Sequence, residues 1–294
     1  MTLARPPRHP SRLVYLGTPA VAVPPLVALH GAGFDIALVV TGVDKRRGRG
    51  AERSPSPVKA AAIDLGLAVT DRLDDCVVAG ADLGVVVAYG RLIPDAVLEV
   101  VPMINIHFSL LPRWRGAAPV ERALLAGDPR TGVCLMDIAS ELDTGALYRC
   151  RDVDIAPDDT LDSLRARLVD AGSALLVDTL REGLGEPVPQ AGEVTYAAKI
   201  APSELRLDLD RPAVELDRVI RLGRAWTTHR GRRLKVLEAA VEPVGPPAGE
   251  LAGSVVGTGE GGLRLITVQP EGRTPMPVDA WLNGVQLAVG ERLG

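Results

Sequence analysis

Short apolar runs alternate with amphipathic stretches over the first two-thirds of the chain, and this alternation limits the fold more than any other feature. Apolar runs of about four to eight residues are typical of buried strands, and strands separated by helices form parallel sheets. The pattern predicts an α/β, Rossmann-like doubly wound domain. The expected strands are 12–16, 36–41, 83–88, 103–108, 132–138 and 148–155, and the expected helices are 21–30, 56–65, 120–126 and 161–181.

Two of these helices carry start signals. Thr18 before Pro19 is expected to cap the first helix, and Ser56 before Pro57 to cap the second. A hydroxyl side chain can accept a hydrogen bond from a free backbone N–H of the first turn, and proline suits that turn because its missing N–H costs nothing there.

The composition changes near residue 183. Residues 183–193 are rich in Gly, Pro and Glu, as linkers are, and short alternating runs beyond them favour a small β-barrel. The expected elements there are a helix at 213–222, strands at 234–240, 251–256 and 263–268, and a hairpin loop at 257–262. The predicted division is a first domain at 1–187, a linker at 188–204, and an OB-like C-terminal β-barrel at 205–294.

Several function classes are disfavoured. The first strand ends in Gly17-Thr18-Pro19 rather than G-x-G-x-x-G, and no segment fits the P-loop pattern, so neither a dehydrogenase nor a nucleoside triphosphatase is indicated. A net charge of −4 argues against binding polyanions over the whole surface. No apolar run approaches the ~20 residues that cross a bilayer, so no membrane association is expected.

The three cysteines, Cys76, Cys134 and Cys150, are odd in number, far apart and without a CxxC pair. This arrangement fits neither a disulfide framework nor a zinc site. We therefore expect a protein of the reducing cytoplasm, and no metal.

The segment from Asn105 to Gly116 is the most informative part of the chain. Alternate side chains of a strand share a face, so Asn105, His107 and Ser109 are expected to point the same way. They would converge at the carboxyl end of a parallel strand, where α/β sheets bind ligands. An amide donor beside an imidazole suits acyl transfer, since one can stabilise an oxyanion and the other can carry a proton. A purely structural histidine is the alternative.

A second element is Leu142-Asp143-Thr144-Gly145, in a turn between two predicted strands. Asp and Gly in a turn often reflect turn geometry alone. If the preceding strand lies near the one that carries His107, however, Asp143 reaches the same pocket. A neighbouring carboxylate would then raise the pKa of the imidazole.

Together these segments resemble the methionyl-tRNA formyltransferase branch of the folate-dependent formyltransferases, and the resemblance runs nearly end to end. The Asn-x-His pair and the distant Asp are shared by the wider family, whereas SLLPRWRGAAP and the C-terminal segments point to the tRNA branch. The matching segments are NIHFSLLPRWRGAAP at 105–119, LDTG at 142–145, GTPAVAVP at 17–24, GRG at 48–50, SPVK at 56–59, AYGRLIP at 88–94, TYAAKI at 195–200, LKV at 234–236 and QPEGR at 269–273.

The resemblance implies an enzyme that transfers a formyl group from 10-formyltetrahydrofolate to the α-amine of methionine on initiator tRNA. It assigns catalysis to Asn105, His107 and Asp143. Asn105 and His107 would stabilise the oxyanion, and Asp143 would orient His107 and handle the proton. By the same resemblance, the folate-contacting residues are Ser109, Leu110, Leu111 and Pro112, with Tyr89, Gly90, Arg91, Leu92 and Ile93 lining the pterin pocket.

Binding tRNA requires local positive charge in this acidic chain. The residues expected to contact tRNA are Lys45, Arg46, Arg47, Arg49, Arg113 and Arg115. A further basic run, from Arg218 through Lys235, is either part of that surface or ordinary solvated charge. The partners expected are the initiator methionyl-tRNA and the folate cosubstrate, with the enzyme a monomer.

Two other functions remain open at this point. A formyltransferase that acts on an amino sugar nucleotide would share Asn105, His107 and Asp143, although the arginine-rich loop and the C-terminal barrel argue against it. A catalytically silent RNA-binding relative is the third possibility, and the complete triad argues against it.

Overall fold

The computed structural model describes residues 3–46 and 53–294. The chain divides into two compact units. The first contains the residues up to Pro119 together with Arg130–Asp154 and Arg165–Ala197. The second contains Val120–Pro129, Ile155–Leu164 and Ala198–Gly294.

The strands, in chain order, are β1 Arg12–Gly17, β2 Asp35–Val40, β3 Lys45–Arg46, β4 Arg53–Ser54, β5 Val69–Thr70, β6 Leu83–Val87, β7 Met103–His107, β8 Arg115–Gly116, β9 Arg130–Asp137, β10 Leu147–Asp154, β11 Tyr196–Ala197, β12 Trp226–His229, β13 Arg232–Glu242, β14 Leu251–Ala252, β15 Val255–Gly257, β16 Gly262–Pro270 and β17 Met276–Pro277. The helices are α1 Val23–Gly31, α2 Pro57–Asp64, α3 Asp75–Val78, α4 Asp95–Leu98, α5 Pro119–Ala126, α6 Leu161–Glu182, α7 Ala213–Ile220 and α8 Val278–Val285, with 3-10 turns at Ala20–Ala22 and Pro202–Leu205.

The first unit is built on a seven-stranded sheet in the order β10-β9-β7-β6-β1-β2-β5. The five strands from β7 to β5 run parallel to one another, as the alternating sequence pattern predicts. The strand order reverses at β1, so the carboxyl ends of β1 and β6 border the crevice where α/β sheets bind ligands. Leu16 of β1, Val86 of β6 and Met103 of β7 lie in the buried core.

β9 and β10 extend this sheet as an antiparallel hairpin. The register places Asp137 opposite Ile104 and Cys134 opposite His107. The nine residues between β9 and β10 form the connection that contains Leu142-Asp143-Thr144-Gly145. The predicted neighbour relation between the two motif-bearing strands is therefore confirmed.

The cysteine interpretation is wrong. Cys134 of β9 and Cys150 of β10 form a disulfide, with their Cα atoms 4.1 Å apart, and Cys76 is free and buried. The two positions are directly paired in the antiparallel hairpin, so strand register closes a separation of 16 residues. Sequence spacing could not show that register, and the cytoplasmic expectation loses the support that it drew from the cysteines.

The two helix-start predictions have different outcomes. Ser56 caps α2, because its hydroxyl accepts a hydrogen bond from the backbone N–H of Lys59 at 3.0 Å. Thr18 does not cap the first helix. Its hydroxyl donates to the Tyr89 carbonyl at 3.3 Å and accepts from the N–H of Gly42 at 3.2 Å. Thr18 thus ties together the loops that follow β1, β2 and β6.

The second unit is an antiparallel sheet in the order β12-β13-β16-β15-β14, with β17 beside β16. Its core contains Leu216 of α7, Val236 of β13 and Trp281 of α8. The C-terminal residues join the two edges of this sheet, since Leu293 bridges to His229 and Arg292 bridges to Glu250. This closure agrees with the predicted small β-barrel. The sequence pattern did not indicate β12, β17 or α8.

The predicted linker, 188–204, is divided between the two units. Val188 pairs with Leu147, and β11 pairs in parallel with β8, both within the first unit. Residues from Ala198 onward belong to the second unit. Richness in Gly, Pro and Glu led to the linker prediction, but Gln190 and Thr195 accept hydrogen bonds from Arg115 and Trp114, and β11 pairs with β8, so residues 188–197 are part of the first unit.

Among the helices that the structure describes, none combines the length and the apolar character needed to cross a membrane.

Candidate active site

β7 carries the Asn-x-His pair to the carboxyl end of the parallel strands. Asn105 is half-buried and His107, the last residue of the strand, is 5% exposed. Because residues two apart on a strand share a face, the amide of Asn105 and the imidazole of His107 lie on the same side of the sheet. The loop at 88–93 follows the neighbouring strand β6, whose Val86 pairs with Asn105.

Asp143 lies beside His107, as predicted. Its Oδ2 is 3.7 Å from His107 Nδ1, and both side chains are largely buried, at 11% and 6% exposure. That separation is longer than a hydrogen bond but close enough for the carboxylate to stabilise a protonated ring in a buried site. The same oxygen accepts a hydrogen bond from the backbone N–H of Gly116 at 2.8 Å.

The other nitrogen of His107 fixes its tautomer. Nε2 is 3.0 Å from the carbonyl oxygen of Trp114. A carbonyl oxygen only accepts, so Nε2 carries a proton and Nδ1 of the neutral ring presents its lone pair towards Asp143. The imidazole can therefore take up a proton at Nδ1, where the Asp143 carboxylate stabilises the charged ring.

The turn that carries Asp143 has an unusual backbone. Asp143 has a φ of 54°, in the left-handed region that costs most residues free energy. Gly145 lies directly against the carbonyl oxygen of Asp137, so that a Cβ at this position would overlap that oxygen. The glycine of the LDTG motif is thus required by a close backbone approach.

The segment of Trp114 to Gly116 supports the site from the opposite side. Trp114 has a φ of 63°, and its N–H donates to Thr195 Oγ1 at 2.8 Å. Its carbonyl accepts a hydrogen bond from His107 Nε2, and the backbone N–H of Gly116 donates to Asp143 Oδ2. Residues 114–116 therefore contact both His107 and Asp143.

Burial dominates the electrostatics of His107. Removing the ring from water lowers the pKa of His107 below its usual value, while the Asp143 carboxylate and the Trp114 carbonyl act in the opposite direction. A lowered pKa keeps the imidazole neutral near neutral pH. In that state it is ready to accept a proton rather than to donate one.

The predicted folate-contacting segment follows β7 directly. Ser109 is fully buried and its hydroxyl donates to the Arg113 carbonyl at 2.6 Å, which closes a tight turn. Leu110 is half-buried, and Leu111 and Pro112 are buried, joined by a cis peptide bond. Apart from Leu110, residues 109–112 are therefore buried.

The residues predicted to line the pterin pocket form the loop after β6. Tyr89 and Ile93 are buried, whereas Gly90, Arg91 and Leu92 are exposed, Leu92 at 87%. Arg91 lies over the Tyr89 ring at 5.7 Å and donates to its hydroxyl at 3.2 Å. The loop thus combines two buried anchors with an exposed tip.

A cavity of about 840 Å³ reaches the catalytic turn from its other side. Its wall includes Thr144, Gly145, Asp137 and Tyr148. Tyr148 donates to Asp137 Oδ1 at 2.6 Å, and burial raises the pKa of both side chains. This hydrogen bond joins the second residue of β10 to the last residue of β9.

The predicted tRNA-contacting residues have varied surroundings. Lys45 and Arg46 form β3, and Arg47 and Arg49 lie outside the described residues. The Arg113 guanidinium stacks on the Trp114 ring at 4.5 Å. The Arg115 guanidinium donates twice to Gln190 Oε1, from Nε at 3.0 Å and from Nη2 at 2.6 Å.

The later basic run is largely committed to partners within the second unit. Arg221 pairs with Asp217 at 3.0 Å, and Arg230 pairs with Glu291 at 2.6 Å. Arg233 lies over the Trp226 ring at 4.3 Å. For Arg221 and Arg230 these contacts favour a structural role.

Sequence reasoning missed two residues of the site. Thr195 binds the Trp114 backbone, and Gln190 donates to the carbonyls of Asp143 and Gly145 at 2.8 and 2.9 Å. Thr195 begins the TYAAKI segment, which was a usable signal. Gln190 stands in the Gly-, Pro- and Glu-rich stretch, where nothing in the local pattern marks it.

We expect His107 to titrate below the ordinary histidine pKa of ~6.5, because its burial disfavours the charged ring. In Asp143→Asn the pKa should fall further, since the carboxylate that stabilises the imidazolium is gone. Proton–nitrogen NMR of the imidazoles, of which the chain has four, measures both values. An unchanged or higher pKa in the variant would show that Asp143 does not act on His107.

Comparisons with known proteins agree with this geometry. The profile of the formyl transferase family matches residues 12–180, and the profile of the formyl transferase C-terminal domain matches residues 199–286. Among solved structures, an N-formyltransferase from Helicobacter canadensis, bound to folinic acid and dTDP-3-aminofucose, has a TM-score of 0.68 at 16% identity and covers 88% of this chain and 99% of its own. HypX from Aquifex aeolicus with tetrahydrofolic acid has a TM-score of 0.64 at 16% identity, over 93% of this chain and 47% of its own.

Relatives of nearly full length are named methionyl-tRNA formyltransferase. One from Cereibacter sphaeroides is 39% identical over 96% of this chain and 98% of its own. One from Dinoroseobacter shibae is 42% identical over 94% and 98%, and one from Frankia casuarinae is 41% identical over 96% of each. With both family profiles matched and this identity held across almost the whole length, the chain belongs to the formyl transferase family.

Proposed function

We propose that this protein transfers a formyl group from 10-formyltetrahydrofolate to the α-amine of methionine on initiator methionyl-tRNA. The observation that carries the proposal is the His107–Asp143 pair beside Asn105 at the carboxyl end of β7. The relatives named methionyl-tRNA formyltransferase, matched over nearly their full length, supply the acceptor. The product is the N-formylated initiator tRNA used in translation initiation.

The acceptor needs little activation. A free α-amine has a pKa of ~7.7–8.0, and esterification of the adjacent carboxyl group lowers it, so much of the amine is neutral at pH 7. The folate donor supplies an electrophilic formyl carbon. The new bond joins that carbon to the methionyl nitrogen, the bond from the carbon to the folate nitrogen breaks, and one proton moves from the first nitrogen to the second.

We assign stabilisation of the formyl oxygen to the Asn105 side-chain amide. Negative charge develops on this oxygen as the amine attacks, and a fixed N–H donor in a site with little water stabilises it. The Nε2–H of His107 is directed to the Trp114 carbonyl instead. This hydrogen bond supports assigning the oxyanion role to Asn105 and the proton transfer to His107.

His107 and Asp143 handle the proton between the two nitrogens. Burial holds the pKa of His107 low, so the resting ring is neutral and its Nδ1 is unprotonated when the attacking amine gives up the proton. The Asp143 carboxylate at 3.7 Å stabilises the resulting imidazolium. Delivery of this proton to the departing folate nitrogen returns the ring to its starting state.

Residues Ser109–Pro112 and Tyr89–Ile93 are proposed to hold the folate. The two segments follow adjacent parallel strands, β7 and β6, and therefore border the same crevice. Within these two segments Tyr89, Ile93 and Leu111 are buried apolar residues. Such apolar side chains suit a planar heterocycle, with backbone groups of the exposed loop tip available for its polar edge.

For the tRNA, the proposal relies on basic residues that follow β2 and on Arg113. Lys45, Arg46, Arg47 and Arg49 provide four positive charges in five positions of a chain whose net charge is −4. Clustered charge of this kind neutralises phosphates and fixes the orientation of a nucleic acid. Because its acceptor is a charged tRNA, we also propose that the enzyme acts in the cytoplasm. Its monomeric state stays a prediction.

The decisive experiment offers the purified protein 10-formyltetrahydrofolate with two acceptors, methionyl initiator tRNA and a dTDP-linked amino sugar. We expect formylation of the tRNA-bound methionine alone. Formylation of the sugar alone would show a sugar N-formyltransferase, as in some structural neighbours. Tight tRNA binding without turnover with either acceptor would show a silent RNA-binding relative.

Replacing His107 by Ala should lower kcat by roughly 100-fold or more, the usual contribution of a positioned acid–base group. Binding of tRNA should change less than about twofold, because His107 is buried and presents no charge at the surface. Single-turnover formylation and filter binding measure the two effects. A variant with normal turnover would show that His107 is structural, and Arg149→Ala, which removes an exposed ion pair with Glu182, is the control.

Reversing one charge in the basic segment, as in Arg49→Glu, should raise KM for tRNA by about tenfold at low salt and leave KM for folate unchanged. Each phosphate contact contributes to a salt-dependent affinity, so the effect should shrink as ionic strength rises. Arg149→Glu makes the same change of charge on β10 and serves as the matched control. Equal effects on both substrates would mean that the segment does not contact tRNA.

A further inference from the structure

We propose that Gln190, held by Arg115, is a positioning residue that fixes the Asp143 turn at the distance from His107 that the reaction needs. This inference rests on the proposed formyl transfer and gives Arg115 a role different from tRNA contact. Gln190 lies in the stretch between α6 and β11, outside the sequence segments that resemble the family.

Gln190 binds the catalytic turn with both protons of its side-chain amide. Nε2 donates to the carbonyl of Asp143 at 2.8 Å and to the carbonyl of Gly145 at 2.9 Å. These two carbonyls lie on either side of Thr144. One amide group therefore spans the turn and prevents its two ends from moving independently.

Arg115 fixes the orientation of that amide. Its Nε and Nη2 donate to Gln190 Oε1 at 3.0 and 2.6 Å. A guanidinium only donates, so Oε1 must face Arg115 and both amide protons must face the turn. Glutamate could not replace glutamine here, because it has no protons to give to the two carbonyls.

The backbone next to Arg115 makes the other contacts of the site. Trp114 accepts from His107 Nε2, and Gly116 donates to Asp143 Oδ2 at 2.8 Å. Three consecutive residues thus make the contacts of the site: Trp114 binds the His107 ring, Arg115 binds the Gln190 side chain, and Gly116 binds the Asp143 carboxylate. Residues 114–116 therefore hold the side chains of both His107 and Asp143. Gln190, bound to Arg115, also attaches the backbone of the Asp143 turn to these residues.

The turn needs such an anchor. Asp143 adopts a left-handed φ of 54°, and the residues before it, Glu141 and Leu142, are exposed, Leu142 at 73%. An unfavourable backbone conformation persists only where its surroundings hold it. Without the amide, the turn can relax and Asp143 can move away from Nδ1.

The test compares Gln190→Met and Arg115→Met, alone and together, with the wild-type enzyme. Methionine keeps the length of glutamine and removes its hydrogen bonds. Each single variant should lower kcat by about 10- to 100-fold, because a misplacement of ~1 Å can have this effect. KM for folate and for tRNA should change less than about twofold. Because Arg115 acts through Gln190, the double variant should be no slower than Gln190→Met alone.

A second measurement does not depend on activity. Loosening Asp143 withdraws a negative charge from His107, so the pKa of His107 should fall in Gln190→Met in the same direction as in Asp143→Asn. Titration of the imidazole by NMR gives this shift even if the wild-type enzyme formylates a different acceptor. Failure of the formyl-transfer proposal can therefore be distinguished from failure of the proposal that Gln190 positions Asp143.

Arg149→Met is the matched control, since it removes an exposed arginine of β10 whose partner is Glu182 at 2.7 Å. It should leave kcat and the pKa of His107 unchanged. Thermal unfolding of each variant identifies loss of fold, and Arg115→Lys, which keeps one donor, should recover part of kcat. The proposal is overturned if Gln190→Met leaves both kcat and the pKa of His107 unchanged, and if the Arg115 variants only raise KM for tRNA.

Discussion

The hydrogen bond from His107 Nε2 to the Trp114 carbonyl is the contact on which the rest of the site depends. It decides which nitrogen of the ring carries the proton, and therefore which nitrogen faces Asp143. With Nε2 engaged, Nδ1 is the only position at which the ring can gain a proton, and Asp143 lies where that proton arrives. The chemistry of the pair follows from the direction in which one backbone carbonyl points.

The fold creates this arrangement through strand order and register. β7 is the last parallel strand, and the antiparallel hairpin of β9 and β10 lies directly beside it. The hairpin connection carries Asp143 back towards the strand that carries His107. The same register pairs Cys134 with Cys150, so one alignment of strands explains both the catalytic contact and the disulfide.

Much of the site was predictable because its chemistry is local in sequence. Asn105 and His107 are two residues apart on one strand, and the alternation of a strand places them on one face without further information. The position of Asp143 was predictable only on the condition that the strand before it lies near the strand that carries His107, because 35 positions separate the two residues. Gln190 had no local signal at all. Its contacts are with two carbonyl oxygens and one guanidinium that only the folded chain brings together.

By itself the sequence determined the class of fold and the two kinds of domain, and it indicated the candidate catalytic groups, because apolar periodicity and short motifs depend on neighbours within a few residues. The tertiary structure decided the tautomer of His107, the disulfide, the use of Thr18 as a tie between loops, and the engagement of Arg115 with Gln190. Each of these depends on groups that are distant along the chain. Hydrogen-bond direction and strand register set them, and both exist only once the chain has folded.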